Sequence, residues 1–171
     1  KQTNKVKIII DGKAGSGKST IGKILAYLFD SILIDTGYIF KALSNKLLLM
    51  GYNKTNLKKI NYSVIKKIIL AIDIQDIYNS NLNTKKIREM TSFISQNIKI
   101  RLLINNKIKS ISTVFDSFIM TGRDTGFSVF NKDKEIQKIF INIKDKIAAS
   151  RKSLENKNSK TSENYLDIMN R

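Results

Sequence analysis

The sequence predicts an α/β protein in which a parallel β-sheet carries helices on both faces. Short apolar runs alternate along the chain with longer segments of helical periodicity, the order expected of parallel strands joined by helical crossovers. The first apolar run leads into a glycine-rich turn, "DGKAGSGKST" (11–20), and then into a helical pattern. A length of 171 residues suits one domain, and no internal repeat is visible.

The first strand and the first helix frame the most specific motif of the chain. Residues 6–10 form an apolar run typical of a buried strand. Apolar residues then recur with helical spacing at Ile21, Ile24, Leu25 and Leu28. The turn between them fits the pattern Gly-x-x-x-x-Gly-Lys-Ser at Gly12, Gly17, Lys18 and Ser19.

This turn has the chemistry of a phosphate site. Its glycines lack Cβ, so the backbone amides can point inward as an anion nest, and the helix that follows adds the positive end of its dipole. Lys18 can reach the outer phosphates, and the Ser19 hydroxyl suits Mg²⁺. A chance glycine turn is the alternative, but the strand–loop–helix context favours a nucleoside-triphosphate site. The predicted ATP phosphate-binding residues are Gly12, Lys13, Ala14, Gly15, Ser16, Gly17, Lys18, Ser19 and Thr20.

The later elements continue the alternation of strands and helices. A second strand at 31–35 leads into a helix, with Gly51 as its C′ residue. Polar sequence at 52–83 surrounds the helical patch "VIKKIILAI", and further helix is predicted over 83–108. The third and fourth strands lie in "SFIMTGRDTG" (117–126) and "IQKIFINI" (136–143). Residues 144–154 are predicted to be helical, 155–164 to form a mobile loop and 165–171 to start a last helix.

Composition excludes several kinds of chemistry. The chain has no Cys, no His and no Pro, which excludes thiolate and imidazole catalysis, disulfides and Cys/His zinc sites. No apolar run approaches the ~20 residues of a membrane span, and no signal peptide is visible. We therefore expect a cytoplasmic protein without a membrane partner. The first residue is Lys rather than Met, as in an excerpt of a longer chain.

A net charge of +17, from 31 basic and 14 acidic residues, raises the question of nucleic-acid binding. Almost all of the excess is lysine, and the lysines are scattered among Ile and Asn rather than gathered into one stripe. We interpret them as solvated side chains and expect no specific nucleic-acid partner. Weak affinity for polyanions stays open as an alternative. The only arginines are Arg88, Arg101, Arg123, Arg151 and Arg171.

Three further motifs narrow the class of protein: "LIDTGYIFK" (33–41), "SFISQNIKIR" (92–101) and "TGRDTGFSVF" (121–130). Together with the glycine-rich turn they resemble the bacterial cytidylate kinase family, P-loop nucleoside monophosphate kinases that transfer a phosphoryl group from ATP to CMP or dCMP. The resemblance runs from about residue 7 to residue 171. It implies a P-loop NTPase-type core at 1–41 and 110–150, an inserted helical monophosphate-binding segment at 42–109, and a partial lid at 151–171.

The resemblance also implies residue roles. Lys18 and Arg123 are the expected catalytic residues, and Arg123 also grips the monophosphate. Asp124 is assigned to the cytosine. The exocyclic amino group of cytosine donates to a carboxylate, and its N3 and O2 atoms accept from donors such as Arg101 and Ser92. A surface ion pair between Arg123 and Asp124 is the alternative. The full expected CMP-binding set is Thr36, Lys41, Ser92, Arg101, Arg123, Asp124 and Arg171.

Several of these positions leave alternatives open. At position 41 the family has Arg and this chain has Lys. Lysine keeps the positive charge but lacks the bidentate fork of the guanidinium group. Thr36 can bind the phosphate or ribose, or serve as a helix N-cap. Asp35 can hold Mg²⁺ through water beside Ser19, or brace the loop.

Ser92 and Arg101 pose a geometric problem. They lie nine residues apart, which at ~100° per residue puts them on opposite sides of one straight helix. Both can face one base only if the helix breaks between them. Asn97 is suited to cap a new helix there. The expected contact of Ser92 with the base therefore depends on a break in the helix.

The sequence also departs from the family in completeness. The segment 52–84 is short for the usual β-hairpin insert, and the lid motif Arg-Asp-x-x-Asp-x-x-Arg would begin at Arg171. Either the given chain stops early, or the protein is a shortened relative. Two other functions stay open: a kinase for another acceptor, such as shikimate or another nucleotide, and a non-catalytic nucleotide- or polyanion-binding remnant. For the kinase we expect ATP with Mg²⁺ and a monomeric protein.

Overall fold

A computed structural model of the chain describes residues 5–57, 60–147 and 150–151. Its sheet has four strands, β1 (Lys7–Gly12), β2 (Ile32–Asp35), β3 (Phe118–Gly122) and β4 (Gln137–Ile141). The strand order is β2-β3-β1-β4, and every neighbouring pair is parallel. The predicted α/β class with a parallel sheet is confirmed.

Burial follows the position of each strand in the sheet. All five residues of β3 are buried, as are Ile8, Ile9 and Ile10 of β1, because interior parallel strands are covered on both faces. The edge strand β4 exposes most of its side chains, including Phe140.

Helices cover the two faces of this sheet. They are α1 (Lys18–Leu28), α2 (Thr36–Leu49), α3 (Tyr62–Ala71), α4 (Ile74–Tyr78), α5 (Lys85–Ile94), α6 (Ile98–Ser112) and α7 (Thr125–Ser128), with a 3₁₀ turn at Ser80–Asn83. Alternation along β1 sends Ile8 and Ile10 to the α1 side and Ile9 to the larger core formed with α2 to α6. Residues 145–147 and 150–151 are also helical.

Two predicted helix boundaries are confirmed. Helix α2 has Met50 at its C-cap, and Gly51 follows with φ of 81°, the left-handed conformation expected of a C′ glycine. The predicted break between α5 and α6 is also present. The Asn97 side chain caps α6 by accepting the backbone N–H of Ile100 at 3.2 Å. Ser92 and Arg101 therefore lie on two different helices.

The segment predicted as an insertion contributes only helices and turns to the part of the chain that the structure describes. All four strands lie outside 42–109, although α2 runs across its first boundary and α6 across its second. The division into core, insert and lid stays a prediction. The expected mobile loop, last helix and Arg171 lie outside the described residues, as does all of the expected lid except Arg151. No helix within the described ranges is long and apolar enough to cross a membrane.

Candidate active site

The glycine-rich loop connects the carboxyl end of β1 to the start of α1. Gly17 is the N-cap of α1 and has φ of 91°, which favours a residue without Cβ. A Cβ on Gly12 would lie 2.6 Å from the carbonyl oxygen of Ile141 and 2.9 Å from Ser16 Oγ. Gly12 therefore lies directly against β4, and only glycine fits at the first position of the loop.

Polar groups of this loop turn toward its own centre. Lys18 Nζ donates to the Lys13 carbonyl oxygen at 3.1 Å, and the Ser16 N–H donates to the same oxygen at 3.2 Å. Ser16 Oγ is buried and has no hydrogen-bond partner among the described residues. An orphaned hydroxyl in a curled, glycine-rich loop is the kind of group that a bound phosphate satisfies.

Ser19 and Asp35 provide oxygen atoms beside the loop. Ser19 Oγ lies 3.5 Å from Asp35 Oδ2, a long hydrogen bond. The other carboxylate oxygen of Asp35 accepts the Gly37 N–H at 3.0 Å and so caps α2. This second contact belongs to α2, so only the long contact with Ser19 connects Asp35 to the phosphate loop. Paired hard oxygen donors also fit Mg²⁺ when phosphates and water complete its shell. Within the described ranges no cluster of three or more acidic, His or Cys side chains forms a metal cage.

The turn after β3 carries Arg123 and Asp124. Asp124 Oδ2 accepts from Arg101 Nη2 at 2.8 Å, and Arg101 Nη1 contacts the Ser95 carbonyl oxygen at 3.4 Å. The structure thus brings together two residues expected to contact the base, from positions 23 apart in the sequence. The alternative Arg123–Asp124 ion pair is not formed, because Asp124 pairs with Arg101 instead.

Arg123 lies on the phosphate-loop side of this turn. Its side chain is exposed and makes no hydrogen bond or ion pair with the residues that the structure describes. It lines a cavity together with Gly12, Lys13, Ala14 and Phe140. A free guanidinium in the same cavity as the phosphate loop has the position expected of a phosphate-binding cation.

Thr36 is buried rather than open to the cavity. Its hydroxyl donates to the Thr121 carbonyl oxygen at 3.0 Å and lies 3.2 Å from Thr125 Oγ1. The expected alternative role as N-cap is wrong, because Asp35 is the N-cap and Thr36 is the first residue of α2. The strand β2 ends one residue earlier than that role requires, so the carboxylate, not the hydroxyl, meets the first free amides.

Lys41 is held by two neighbours on the α2 side. Its Nζ donates to Asn83 Oδ1 at 2.6 Å and lies 3.9 Å from the centroid of the Tyr38 ring. Asn83 Nδ2 in turn donates to the Tyr38 hydroxyl at 3.3 Å. Ser92 is less well placed. Its exposed hydroxyl has no partner among the described residues, and it is the Ser95 carbonyl that contacts Arg101.

The sequence reasoning missed Asp11, the last residue before the loop. Asp11 is only 6% exposed, and its carboxylate accepts two backbone N–H groups, from Thr125 at 3.0 Å and from Gly126 at 2.6 Å. Burial raises the pKa of Asp11, the two amides and Lys18 oppose that shift, and the nearby Asp124 adds to it. The available signal was a carboxylate at the end of an otherwise apolar strand.

A second missed residue is Arg151. Its Nη1 lies 3.7 Å from the position that a Cβ on Gly17 would occupy. Asp145, a few residues earlier, is joined to the loop by an ion pair between Lys13 Nζ and Asp145 Oδ1, at 2.6 Å. A lone guanidinium in the lysine-rich stretch 144–154 was the signal. It places another positive charge beside the start of α1.

This fold and site define a class of protein. A parallel sheet carries a phosphate-binding glycine loop after one strand and an Arg-Asp turn after the adjacent strand, at the edge where ligands of such sheets bind. These are the features of a P-loop phosphotransferase.

Comparison with known proteins identifies the family. The family model described as cytidylate kinase matches residues 8–171. Over 171 residues the chain is 33% identical to the cytidylate kinase of Mycoplasmopsis pulmonis, covering 98% of this chain and 76% of that protein. The cytidylate kinases of Mycoplasmopsis agalactiae and Caldanaerobacter subterraneus are 28% and 29% identical, over 95% and 96% of this chain and 76% and 74% of theirs. The chain belongs to the cytidylate kinase family, as its motifs predicted.

Proposed function

We propose that this protein transfers the γ-phosphoryl group of ATP to CMP or dCMP, giving ADP and CDP or dCDP. The Arg101–Asp124 pair carries the proposal, because it puts a donor and an acceptor side by side at 2.8 Å. Cytosine presents an amino donor next to the N3 and O2 acceptors, which is the complementary arrangement. Family membership and the neighbouring phosphate loop support the same reaction.

The proposed triphosphate site is the loop at 12–20. Its backbone amides and Lys18 would bind the β- and γ-phosphates, and Ser16 Oγ would gain the partner that it lacks among the described residues. Mg²⁺, held by Ser19 directly and Asp35 through water, would neutralise charge on the phosphates. Arg151 extends the positive surface next to Gly17.

The proposed acceptor site lies on the other side of the cavity. The guanidinium of Arg123 would contact the CMP phosphate and the transferring phosphoryl group, and Lys41 would supply a second cation from α2. An oxygen of the CMP phosphate forms a bond to the γ-phosphorus, the bond to the β–γ bridging oxygen breaks, and ADP leaves with that electron pair. This reaction needs alignment and positive charge rather than a side chain with a tuned pKa, which suits a chain without histidine.

The test is phosphoryl transfer by the purified protein. ATP and Mg²⁺ are supplied with CMP, dCMP, UMP, AMP or shikimate, and ADP is measured. We expect ADP to form with CMP and dCMP, and to fall by at least about 100-fold in Lys18→Ala, since Lys18 contacts developing charge. Lys5→Ala is the matched control, because the Lys5 side chain is 68% exposed and pairs with Asp116. Binding of ATP and CMP without ADP formation would instead identify a non-catalytic remnant.

We propose that the protein acts in the cytoplasm, because ATP and nucleoside monophosphates are cytoplasmic metabolites. We also propose that it is a monomer. Light scattering of the purified protein, with and without nucleotides, tests the monomer. A dimer mass in either measurement, unchanged on dilution, would contradict it.

A further inference from the structure

Asp11 is a buried carboxylate that hydrogen-bonds to a distant segment of the chain. It stands at the carboxyl end of β1, directly before the phosphate loop, yet both of its oxygens accept N–H groups from the segment after Asp124. Among the described residues it forms no ion pair. Both carboxylate oxygens thus bind the backbone of a distant turn, while Lys18 attracts the charge electrostatically.

Two threonine hydroxyls complete this contact. Thr36 Oγ1 donates to the Thr121 carbonyl oxygen and lies 3.2 Å from Thr125 Oγ1. All three polar side chains converge beneath Gly122. A Cβ there would lie 2.0 Å from Thr125 Oγ1 and 2.9 Å from both Asp11 Oδ1 and Thr36 Oγ1. We call Asp11, Thr36 and Thr125 the buried bracket.

The buried bracket connects three separate parts of the site. Asp11 precedes the phosphate loop, Thr36 follows Asp35 of the proposed metal site, and Thr125 follows the Arg123–Asp124 turn. A buried carboxylate is a costly way to hold a turn, since desolvation disfavours its charge. A hydrophobic contact would stabilise the fold at lower cost, so the bracket is better explained by a demand for exact placement.

We propose that Asp11 is a positioning residue that fixes the Arg123–Asp124 turn relative to the phosphate loop. It acts through the backbone N–H groups of Thr125 and Gly126, and it touches neither nucleotide. This inference rests on the proposed function, because it assigns Asp11 to the alignment of the CMP site with the ATP site.

Asp11→Asn is the informative substitution. One oxygen remains to accept an N–H, but the new amide nitrogen would face the other N–H as a second donor, so the turn has to shift. A displacement approaching 1 Å in a phosphoryl-transfer site lowers the rate by up to about 100-fold. We expect kcat/KM for CMP to fall by about 10- to 100-fold, and the Kd for ATP without CMP to change by less than about threefold.

A double-mutant cycle with Asp124→Asn distinguishes positioning from general damage. If Asp11 acts through the turn, its substitution costs much less in the Asp124→Asn background than in wild type. Equal losses in both backgrounds, or no loss in the single variant, would overturn the proposal. Asp116→Asn is the matched control, because the Asp116 side chain is 80% exposed and precedes β3, at the opposite end of that strand from the Arg123–Asp124 turn.

Amide hydrogen exchange tests the same contact without any turnover. In ligand-free Asp11→Asn we expect faster exchange at Thr125 and Gly126, with unchanged protection at Ile9 and Ile119. Unchanged exchange at the two turn amides would refute the bracket even if the wild type proved to be a CMP kinase. If wild type fails to phosphorylate CMP, the proposed function fails, and the exchange result still decides whether the bracket exists.

A second variant covers the case in which Asp11→Asn does not fold. Thr125→Val keeps the side-chain shape and removes only the hydroxyl that meets Thr36. The same cycle with Asp124→Asn then applies, and the expected loss is smaller, about 3- to 10-fold, because one neutral hydrogen bond is removed. Additive losses in this cycle would likewise overturn the proposal.

Discussion

Replacing Asp124 with Asn exchanges one carboxylate oxygen for an amide nitrogen and leaves the side-chain shape unchanged. In the free protein the lost interaction is the ion pair with Arg101, whose two side chains are 38% and 50% exposed. Pairs with this exposure contribute at most about 1 kcal/mol to stability. The free energy of unfolding should therefore fall by no more than that amount.

The effect on base selection should be larger than the effect on stability. Uracil carries a carbonyl oxygen where cytosine carries its amino group, so UMP would turn an acceptor toward the carboxylate of Asp124. An unpaired, partly buried carboxylate costs about 2–4 kcal/mol, or roughly 30- to 900-fold in selectivity. Wild type should prefer CMP over UMP by that factor. Asp124→Asn should narrow the gap, because an amide can present either a donor or an acceptor.

The assay is ADP formation at saturating ATP with CMP or UMP held below KM, so that each initial rate gives kcat/KM. Thermal unfolding of the same samples separates selectivity from stability, and Asp116→Asn serves as the control. Equal use of CMP and UMP by wild type would refute a role for Asp124 in reading the base. A large CMP preference that survives in Asp124→Asn would assign the discrimination to Arg101 instead.

Three further predictions follow from other parts of the structure. Lys41→Arg introduces a bidentate fork and should lower the KM for CMP by about 3- to 10-fold in steady-state assays. A higher KM would mean that Tyr38 and Asn83 orient lysine better than they orient arginine. Gly22→Ala should lower the free energy of unfolding, measured with denaturant, by about 1–3 kcal/mol, because the new Cβ would lie 2.6 Å from Thr121 Cγ2. Unchanged stability would contradict this close packing of α1. Duplex DNA binding, followed by fluorescence anisotropy, should be weak and disappear near ~0.15 M salt, whereas sequence-selective binding at that salt would show that the excess lysines have a specific partner.

The parts of the site that sequence could predict are those encoded by neighbouring residues. The phosphate loop is specified by its own glycines and by the strand and helix on either side of it. The break before α6 was predictable because Asn97 caps it with its own side chain. The position of Arg123 and Asp124 after β3 also follows from a local apolar run that ends at Gly122.

The parts that sequence could not predict depend on contacts between distant segments. Asp11 accepts from Thr125 and Gly126, which lie 114 and 115 residues later, and no local sequence pattern predicts that contact. Thr36 was expected near the ligand, but the exact end of β2 leaves its hydroxyl facing Thr121. Closer in the chain, Arg101 contacts the carbonyl oxygen of Ser95, the C-cap of α5, rather than the side chain of Ser92.

The strand order has a consequence for how the chain folds during synthesis. Strands β1 and β2 come first, but they do not pair with each other, because β3 lies between them. No hydrogen bond between these four strands can form until residue 118 has been synthesised. Pairing of β1 with β4 requires synthesis to reach residue 137. Until then "KIIID" (7–11) is an exposed β-prone stretch on the nascent chain. We expect this early segment to be the part of the chain most dependent on chaperones, and the phosphate loop to take its final shape only after most of the protein has been synthesised.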